Sequence, residues 1–577
     1  MIGVSEPNPR SLFERRLPFI LAIVFLLGVS LAAEFRTYAS ADIGFLLDAA
    51  SRVLDGARLY VDVVEINPPL IIALNAAVVW VARLLHLPEI LLYRIVVTAG
   101  LLGSLWLSAV LLHSALQLDG RTRRLMLLAL TFVLFPLAQS DFGEREHLAL
   151  ALLVPFVLLT AARVAGRQMP EGRAFSIGLL AGSAFALKPH FLILWPVFEI
   201  LLRARGRVPP RTLLPESVAV AAFVAGYVAL IAIVAPAYFD LVRLLAVPYS
   251  RFLYDPFYRL LVTGPGAVLA LFALLAFIAL RPQARHPALW TTLALATTAC
   301  LVAGAAQQKG LRYHFYPALG LATLTLALVA VDSFAPTRSR VRGVYRALVA
   351  GMLAATVATV CLRRTVAALD RTVDPGRDQY EQLLGLVRTR AQGAGVFVMS
   401  YHIESAYPLI NYSGGRSASR FPHLWILAAE YLDALKSREP LRYRDQSEMS
   451  PSERYLNRAV LEDLGRRPRL LLVFRNARDV PANGYRRLDY IAYFARNPAV
   501  DSILREYQLV ARTGDYMVYE RVPPGARRMG PPPAATPGAQ DVVPVAELAR
   551  KGVAVDPALL AGLVAFVGGL VAAWRTR

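Results

Sequence analysis

The sequence predicts a mainly α fold: a polytopic helical bundle in a membrane, then a C-terminal α/β domain and a final transmembrane helix. Apolar runs recur between residues 17 and 362, each near the ~20 residues that a membrane-spanning helix needs. Apolar residue types make up 56% of the chain, and the mean hydropathy is +0.47. The short connectors between the runs alternate between Arg-rich and Arg-poor, as cytoplasmic and external loops do.

The basic connectors indicate the topology, because positive charge in short loops marks the cytoplasmic side. The first run, Leu17–Ala33, follows Arg10, Arg15 and Arg16, so we expect a cytoplasmic N-terminus and an uncleaved first helix. A signal peptide cleaved after Ala32 is the alternative. The clusters that we assign to the cytoplasm are Arg121–Arg124, Arg163–Arg173, Arg203–Arg211, Arg281–His286, Arg338–Arg342 and Arg575–Arg577. The segments then expected outside are 34–68, 139–147, 188–190, 236–262, 307–314 and 363–556.

The number of crossings is ambiguous at one point. Two apolar runs, 69–85 and 90–116, separate an external loop from a cytoplasmic cluster, where an odd number of crossings is required. We expect 69–85 to be a re-entrant or membrane-lying segment shielded by protein. The alternative is that the short run 125–138 does not cross. The prediction is therefore about 12–13 membrane segments, given the ~20 residues that each span needs.

The composition divides the chain into four parts. We expect a transmembrane domain over residues 1–362, an external α/β domain over 363–522, a Pro/Gly-rich linker over 523–556 and a transmembrane helix over 557–577. The external domain alternates helix and strand signals, including a Ser-Pro-Ser-Glu helix start and a closing hairpin. The predicted elements are a helix at Gly376–Gln392, strands at Val396–Met399 and Leu470–Phe474, a helix starting at Ser450, and the hairpin Tyr507–Arg512 with Tyr516–Arg521.

Charge and cysteine content limit the kinds of partner and of site that we expect. The net charge of +21 comes mainly from residues that flank apolar runs, so we expect membrane lipids and no nucleic acid as partners. Cys300 and Cys361 both lie inside apolar runs, which argues against a disulfide framework or a metal cluster. No residue is predicted as a metal ligand and no cofactor is certain, with a divalent cation as an open alternative.

The first external loop contains a candidate catalytic carboxylate. Asp42 opens an amphipathic stretch with Phe45, Leu46 and Ala49 on one face, typical of a helix lying on the membrane surface. Asp42 has two interpretations of equal weight, the N-cap of that helix or a catalytic acid. Further along the loop, the candidate substrate-binding residues are Asp62, Glu65 and Asn67.

Basic residues on the outer side run against the positive-inside trend and suit an anionic headgroup, since Arg and Lys both bind phosphate. The candidates for a donor phosphate are Arg145, Lys188, His190, Lys309, Arg312 and His314, with Glu144 and Tyr313 beside them as substrate contacts. A self-neutralising Glu-Arg-Glu cluster and a snorkelling Lys188 are the structural alternatives. The cations could stabilise a leaving phosphate, and the carboxylate could take the proton of an acceptor hydroxyl. Together these two roles predict transfer of a sugar from a lipid-linked phosphosugar.

The order of these parts over residues 17–362 resembles the GT-C superfamily of integral-membrane glycosyltransferases, which includes protein O-mannosyltransferases and lipid A aminoarabinose transferases. The matching pieces are Asp42 soon after the first span, Gly56 with Tyr60 and Asp62, the pair Pro68-Pro69, the charged connector Glu144–His147, and Lys188 after a later span. A soluble C-terminal domain on the outer face also fits the resemblance.

The resemblance implies a bacterial inner-membrane glycosyltransferase that uses a polyprenyl-phosphate-linked sugar on the periplasmic face, with a glycan, lipid or protein acceptor. It implies Asp42 as the base, and Lys188, Lys309, Arg312 and His314 as holders of the polyprenyl phosphate. This chain departs from many relatives at Ala41-Asp42, where they have two acids, and at Asn67, where they have Lys. Metal dependence and donor identity therefore stay open.

Two other classes remain as alternatives: a transporter or flippase for lipid-linked saccharides, and a non-catalytic membrane scaffold. A transporter would place its ionisable groups near mid-membrane on broken helices, whereas here they concentrate at one interface. Within the external domain, Tyr401–Glu404 and Asn411–Phe421 follow a predicted strand, where α/β folds bind ligands. We predict acceptor or glycan binding there.

Overall fold

The computed structural model describes residues 9–264, 266–280, 284–332, 340–369, 377–436, 441–475 and 488–522. Within these ranges the chain is a bundle of helices followed by a domain with one mixed sheet, which confirms the predicted fold class. The predicted linker at 523–556 and the predicted last helix at 557–577 lie outside the described residues.

Helices α1 to α15 form the membrane region. Their bounds are Pro9–Glu34, Ala41–Leu54, Leu70–Leu84, Glu89–Val110, Gly120–Leu134, Arg145–Val164, Glu171–Leu187, Leu194–Ala204, Pro215–Val234, Ala237–Arg251, Phe257–Thr263, Ala267–Leu280, Pro287–Ala306, Tyr316–Asp332 and Arg340–Leu369. Short 3₁₀ or π turns occur at Leu111–Ala115, Pro136–Asp141, Pro189–Ile193 and Arg312–Phe315.

Among the described residues, eight helical segments are long and apolar enough to cross a membrane, or nine if α11 and α12 form one bent span. They are Leu17–Glu34, Glu89–Ala115, Gly120–Asp141, Arg145–Val164, Pro215–Val234, Pro287–Ala306, Arg312–Val331 and Ala347–Leu369. The predicted 12–13 segments include the helix at 557–577, outside the described residues, and part of the remaining difference has a physical reason. Lys188-Pro189 interrupts an apolar stretch, since Pro cannot continue a helix, and leaves α7 with 17 residues and α8 with 11.

The two ambiguous runs differ in length. The run 69–85 forms α3, whose 15 residues are fewer than a span of ~20 residues needs. The run 125–138 lies within the candidate span Gly120–Asp141, whose 22 residues are enough to cross. Both lengths agree with the preferred interpretation, in which 69–85 does not cross the membrane and 125–138 does.

The centre of the bundle is formed by α6 and by the segment that includes α14. Within Arg145–Val164, 83% of an 18-residue stretch is buried, and within Arg312–Val331, 94% of one. The two helices approach closely at Gly320, where an added Cβ would lie 2.4 Å from Leu150 Cδ2. At one end of this helix pair, Arg145, the first residue of α6, and His314, just before α14, line the same cavity.

Helices α16 to α22 and strands β1 to β5 form the C-terminal domain. The helices are Arg377–Ala391, Leu409–Ser413, Trp425–Glu430, Leu432–Lys436, Pro451–Gly465, Tyr490–Phe494 and Pro498–Leu504. The strands are Gly395–Met399, Arg416–Ser417, Leu470–Phe474, Tyr507–Thr513 and Tyr516–Arg521, in the sheet order β2-β1-β3-β5-β4. Strand β1 runs parallel to β2 and β3, whereas β5 runs antiparallel to β3 and β4.

The elements predicted for this domain are confirmed. Ser450 caps α20 by accepting a hydrogen bond from the Glu453 backbone N–H at 3.0 Å. The apolar face of α16 is buried through Leu383, Leu384 and Val387. Both central strands and the closing hairpin form at the predicted positions.

Helix α2 joins the membrane region to the C-terminal domain. The predicted helix forms, but it is buried on more than the one expected face, because the C-terminal domain also covers it. Tyr407 donates a hydrogen bond to Asp48 at 2.8 Å, and Asn411 donates one to the Gly44 carbonyl at 2.9 Å. A Cβ added at Gly44 would lie 3.0 Å from Pro408 Cα, so the two parts approach closely at this glycine.

Candidate active site

A cavity lies where the first loop, the bundle and the C-terminal domain meet. It contains about 750 Å³ of empty space including its open mouth. Its polar lining residues are Asp42, Glu65, Asn67, Arg145, Lys188, Tyr249, Lys309, Tyr313, His314 and His423. Its apolar lining residues are Phe45, Val64, Ile66, Phe252, Leu253, Leu311, Ile403, Pro422 and Trp425.

Asp42 is in the first turn of α2 and is not its N-cap. Ser40 has that role, since its hydroxyl accepts a hydrogen bond from the Ile43 N–H at 3.2 Å and also donates to Glu144. The N-cap interpretation of Asp42 is therefore wrong. Among the described residues, the Asp42 carboxylate accepts no hydrogen bond, and it interacts electrostatically with Arg145 and Glu144. It can therefore accept a proton or a hydrogen bond from a ligand.

Glu65 and Asn67 line the cavity as a bonded pair. One oxygen of Glu65 accepts the backbone N–H of Asn67 at 2.7 Å and its side-chain amide at 2.5 Å. Tyr60 donates to the Asn67 carbonyl at 2.9 Å, which fixes the loop further. Asp62 instead lies outside the cavity. Hydrogen bonds from Arg58 lower the pKa of the Asp62 carboxyl to about 2, so this carboxylate holds a turn.

Arg145 is the first residue of α6, and only 6% of it is exposed. Its Nε and Nη1 have no hydrogen-bond partner within the described ranges. A buried charged donor without a partner is costly. The guanidinium nevertheless lines the cavity, where a phosphate could accept two of its N–H groups in parallel.

Lys188 caps the C-terminal end of α7 and forms an ion pair with Glu146, with 2.7 Å between Nζ and Oε1. His314 Nε2 lies 3.8 Å from the same carboxylate oxygen. The Lys188 ammonium is also 5.8 Å from the centre of the Tyr313 ring, within cation–π range. Glu146 thus offsets much of the positive charge expected from this group.

Lys309 extends from the loop before α14 to the end of α10. Its ammonium donates to the carbonyls of Tyr249, at 2.5 Å, and Phe252. It also lies 4.6 Å from the centre of the Tyr249 ring. Burial lowers the pKa of Lys309 to about 8. Two of its three donors therefore hold α10 against the loop, and a third remains for a ligand.

Three other predicted residues are not among the cavity-lining side chains. Arg312 donates to Ser140 at 2.7 Å and forms an ion pair with Asp141 at 3.1 Å. His190 is near His314, with 6.5 Å between the ring centres. Glu144 is bonded to Ser40, behind Asp42.

The C-terminal domain contributes one wall of the cavity. The stretch Asn411–Phe421, predicted from the sequence to bind a ligand, overlaps this wall, but His423 and Trp425 were not predicted. We define this wall segment as residues 419–425, which include His423 and Trp425. The Arg420 carbonyl accepts the Val64 N–H of the first loop at 2.8 Å, and the Ser419 carbonyl accepts a side-chain N–H of Arg52 at 2.9 Å. The predicted ligand-binding stretch Tyr401–Glu404 lies beside it and contributes Ile403.

The cavity offers two carboxylates, Asp42 and Glu65, and one oxygen of Glu65 already accepts two hydrogen bonds. Within the described ranges, no group of three or more His, Cys, Asp or Glu is arranged to hold a metal ion. These residues do not supply a ligand set for the divalent cation that the sequence left open.

No family model matches the sequence, and no curated protein matches it. Among solved structures, the chain is similar to the arabinofuranosyltransferase AftD from Mycobacteria, determined by single-particle cryo-EM, with a TM-score of 0.43 and 15% sequence identity. The alignment covers 88% of this chain but only 40% of AftD, so the chain spans about two fifths of that protein's length. At this TM-score and identity, the similarity transfers no function to the chain.

Proposed function

We propose that the chain is a membrane glycosyltransferase that moves a sugar from a polyprenyl-phosphate donor to an acceptor hydroxyl. One observation carries the proposal. The same cavity is lined by the Asp42 carboxylate, which accepts no hydrogen bond among the described residues, and by Arg145, which has two unpaired guanidinium nitrogens there. A proton acceptor and an anion binder in one cavity are what this transfer requires.

In the proposed reaction, the donor phosphate binds to Arg145, with Lys188, Lys309 and His314 around it. The acceptor oxygen attacks the anomeric carbon while Asp42 takes the hydroxyl proton. The bond from that carbon to the phosphate oxygen breaks, and its electron pair leaves with the polyprenyl phosphate. Arg145 stabilises the negative charge that develops on this phosphate.

The apolar part of the lining supports a lipid-linked donor. Phe252, Leu253 and Leu311 line the cavity together with the cations. An anionic headgroup with a hydrocarbon tail matches this combination better than a soluble nucleotide sugar does, because the tail requires apolar contacts. Glu65, Asn67 and Tyr313 are placed to contact the sugar in this scheme.

The positive-inside rule supports an N-terminus in the cytoplasm, with the cavity and the C-terminal domain on the opposite side of the membrane, which in a bacterial inner membrane is the periplasmic side. The basic connector Arg121–Arg124 would then face the cytoplasm. Cysteine-accessibility labelling at residue 121 and at exposed positions of the C-terminal domain would test this orientation.

The test of the proposed function is the Asp42→Asn variant. Membranes would receive a total lipid extract labelled in its sugars as the donor source. We expect transfer to fall at least 100-fold, the low end for loss of a general base, roughly 10²–10⁴. Asp55→Asn is the matched control, because Asp55 is exposed and pairs with Arg83 away from the cavity. Full activity in Asp42→Asn would remove Asp42 from the mechanism, and altered sidedness of lipid-linked sugar without transfer would indicate a flippase.

A further inference from the structure

We propose that the acceptor is a carbohydrate and that the C-terminal domain binds it through Nε2 of His423, which accepts a hydrogen bond from a hydroxyl next to the reacting one. This inference rests on the proposed function and specifies its acceptor. It assigns two hydroxyl groups of one acceptor molecule to two different parts of the chain: the reacting hydroxyl to Asp42 on α2, and its neighbour to His423 on the wall segment.

The hydrogen bonding of His423 determines which ring nitrogen can bind a hydroxyl. Nδ1 lies 2.7 Å from the Tyr401 carbonyl oxygen, which can only accept, so Nδ1 carries the hydrogen. In the neutral ring, Nε2 then holds a lone pair and acts as an acceptor. Burial lowers the pKa of His423 to about 4, which agrees with a neutral ring at pH 7.

The wall segment holds His423 in a fixed position relative to the first loop. On one side, Val64 donates to the Arg420 carbonyl at 2.8 Å. On the other, Leu424 donates to the Ser400 carbonyl at 2.6 Å, and Arg420 forms an ion pair with Asp463 at 3.0 Å. A side chain held this firmly loses little entropy when it binds a ligand.

Aromatic rings surround this part of the cavity. The Phe252 ring centre is 5.8 Å from that of His423 and 5.7 Å from that of Trp425. Tyr249 packs edge-on against Trp425 at 5.8 Å. Aromatic side chains offer large apolar surfaces, and a sugar ring has apolar C–H faces between its hydroxyl edges.

The number of hydrogen-bond acceptors favours a carbohydrate over a protein. Asp42 and His423 both line the cavity and are close enough to interact electrostatically, and each can accept a hydrogen bond from a hydroxyl. A Ser or Thr side chain supplies one hydroxyl, whereas a sugar supplies adjacent ones. One sugar ring can therefore donate to both groups through neighbouring hydroxyls, whereas a Ser or Thr hydroxyl donates to one of them.

The test uses the full chain in membranes, with a sugar-labelled total lipid extract as donor and a delipidated cell-envelope fraction as acceptor. His423→Asn is the informative variant, because the Asn amide can occupy the Nδ1 position and keep the bond to Tyr401 while Nε2 is lost. We expect the envelope concentration for half-maximal transfer to rise about ten-fold, the effect of one hydrogen bond. Limited proteolysis of the variant in detergent should match that of the wild type, which reports that the variant is folded.

Two controls complete the design. His86→Asn makes the same substitution at an exposed position whose φ of 54° suits Asn, and it should behave like the wild type. His423→Gln places an amide near the Nε2 position and should restore part of the affinity. The labelled product should be a glycan that resists both protease and mild alkaline β-elimination.

The outcomes separate the two proposals. If the wild type releases no polyprenyl phosphate and transfers no sugar, the glycosyltransferase proposal fails, and the acceptor inference fails with it. If the wild type transfers sugar but the label is found in protein or lipid, the acceptor inference alone is overturned. The same holds if His423→Asn has the wild-type dependence on the envelope fraction.

Discussion

Nζ of Lys188 lies 2.7 Å from Oε1 of Glu146, and both side chains are almost completely buried at the wall of the cavity. Helices α7 and α6 are thereby joined by a charge pair with little access to water. Such a pair stabilises the fold little in total, but removing one member leaves the other charge buried and unpaired.

We predict that Lys188→Met lowers the free energy of unfolding by about 3–5 kcal/mol, the cost of a broken buried ion pair. Lys188→Met combined with Glu146→Gln should lose clearly less, because no charge is left unpaired. Unfolding by SDS in detergent micelles would measure both. Equal losses in the single and double variants would show that the unpaired charge of Glu146 is not what destabilises Lys188→Met.

We predict that Arg145→Gln weakens binding of polyprenyl phosphate at least ten-fold, since hydrogen bonds to a charged group contribute about 1.5–3 kcal/mol. Arg145→Lys should also lose affinity, because an ammonium cannot form two parallel bonds to phosphate. Competition by polyprenyl phosphate against labelled donor provides the measurement. Arg58→Gln, which breaks an exposed pair with Asp62, is the control, and a matching loss there would argue against a specific role of Arg145.

We predict that phosphate affinity falls as the pH rises through about 8, the pKa to which burial lowers Lys309. Above that pH the ammonium loses its charge, whereas arginine keeps its own. Affinities for polyprenyl phosphate between pH 7 and pH 9.5 would test this, a range in which the phosphate stays mostly a dianion because its second pKa is about 6. Lys309→Met should bind more weakly and show no such step, and a step that persists in this variant would point to another group.

The same shift has a stability consequence of defined sign. Between pH 8 and the ordinary lysine value of 10.5, the unfolded chain binds a proton at Lys309 that the folded chain does not. The contribution of this group to the free energy of unfolding therefore rises with pH in that window.

We predict that Gly44→Val loosens the contact between α2 and the C-terminal domain, because its Cβ would meet Pro408 and Asn411 at 3.1 Å or less. Overpacking of this kind costs about 1–3 kcal/mol. Limited proteolysis of detergent-solubilised protein should cut the C-terminal domain faster than in the wild type. Gly28→Val is the matched control, since no atom lies within 4 Å of a Cβ at that position, and equal proteolysis of both variants would contradict the prediction.

The parts of the fold that the sequence predicted well depend on local signals. The cap at Ser450 and strand Leu470–Phe474 follow from a few neighbouring residues. The number of spans was harder, because an apolar run does not reveal whether Lys188-Pro189 separates two crossings or breaks one stretch into short helices.

For the candidate site too, features that depend on local sequence were predicted and features that depend on packing were not. Asp42, Arg145, Lys188 and Lys309 were found from their residue types in external loops, and the cavity brings them together. Their partners were not predictable. That Glu146 offsets Lys188, and that carbonyls at the end of α10 bind Lys309, depends on how helices pack. His423 was missed because its approach to the first loop is set by contacts between residues far apart in sequence.

The hydrogen bond between the Val64 N–H and the Arg420 carbonyl also bears on when the cavity forms during biosynthesis. The first loop is synthesised long before the wall segment leaves the ribosome. Until residues 419–425 arrive, Asp42 and Arg145 lack one side of their enclosure and remain open to water. The enclosure of Asp42 and Arg145 is therefore completed only when the C-terminal domain docks on α2.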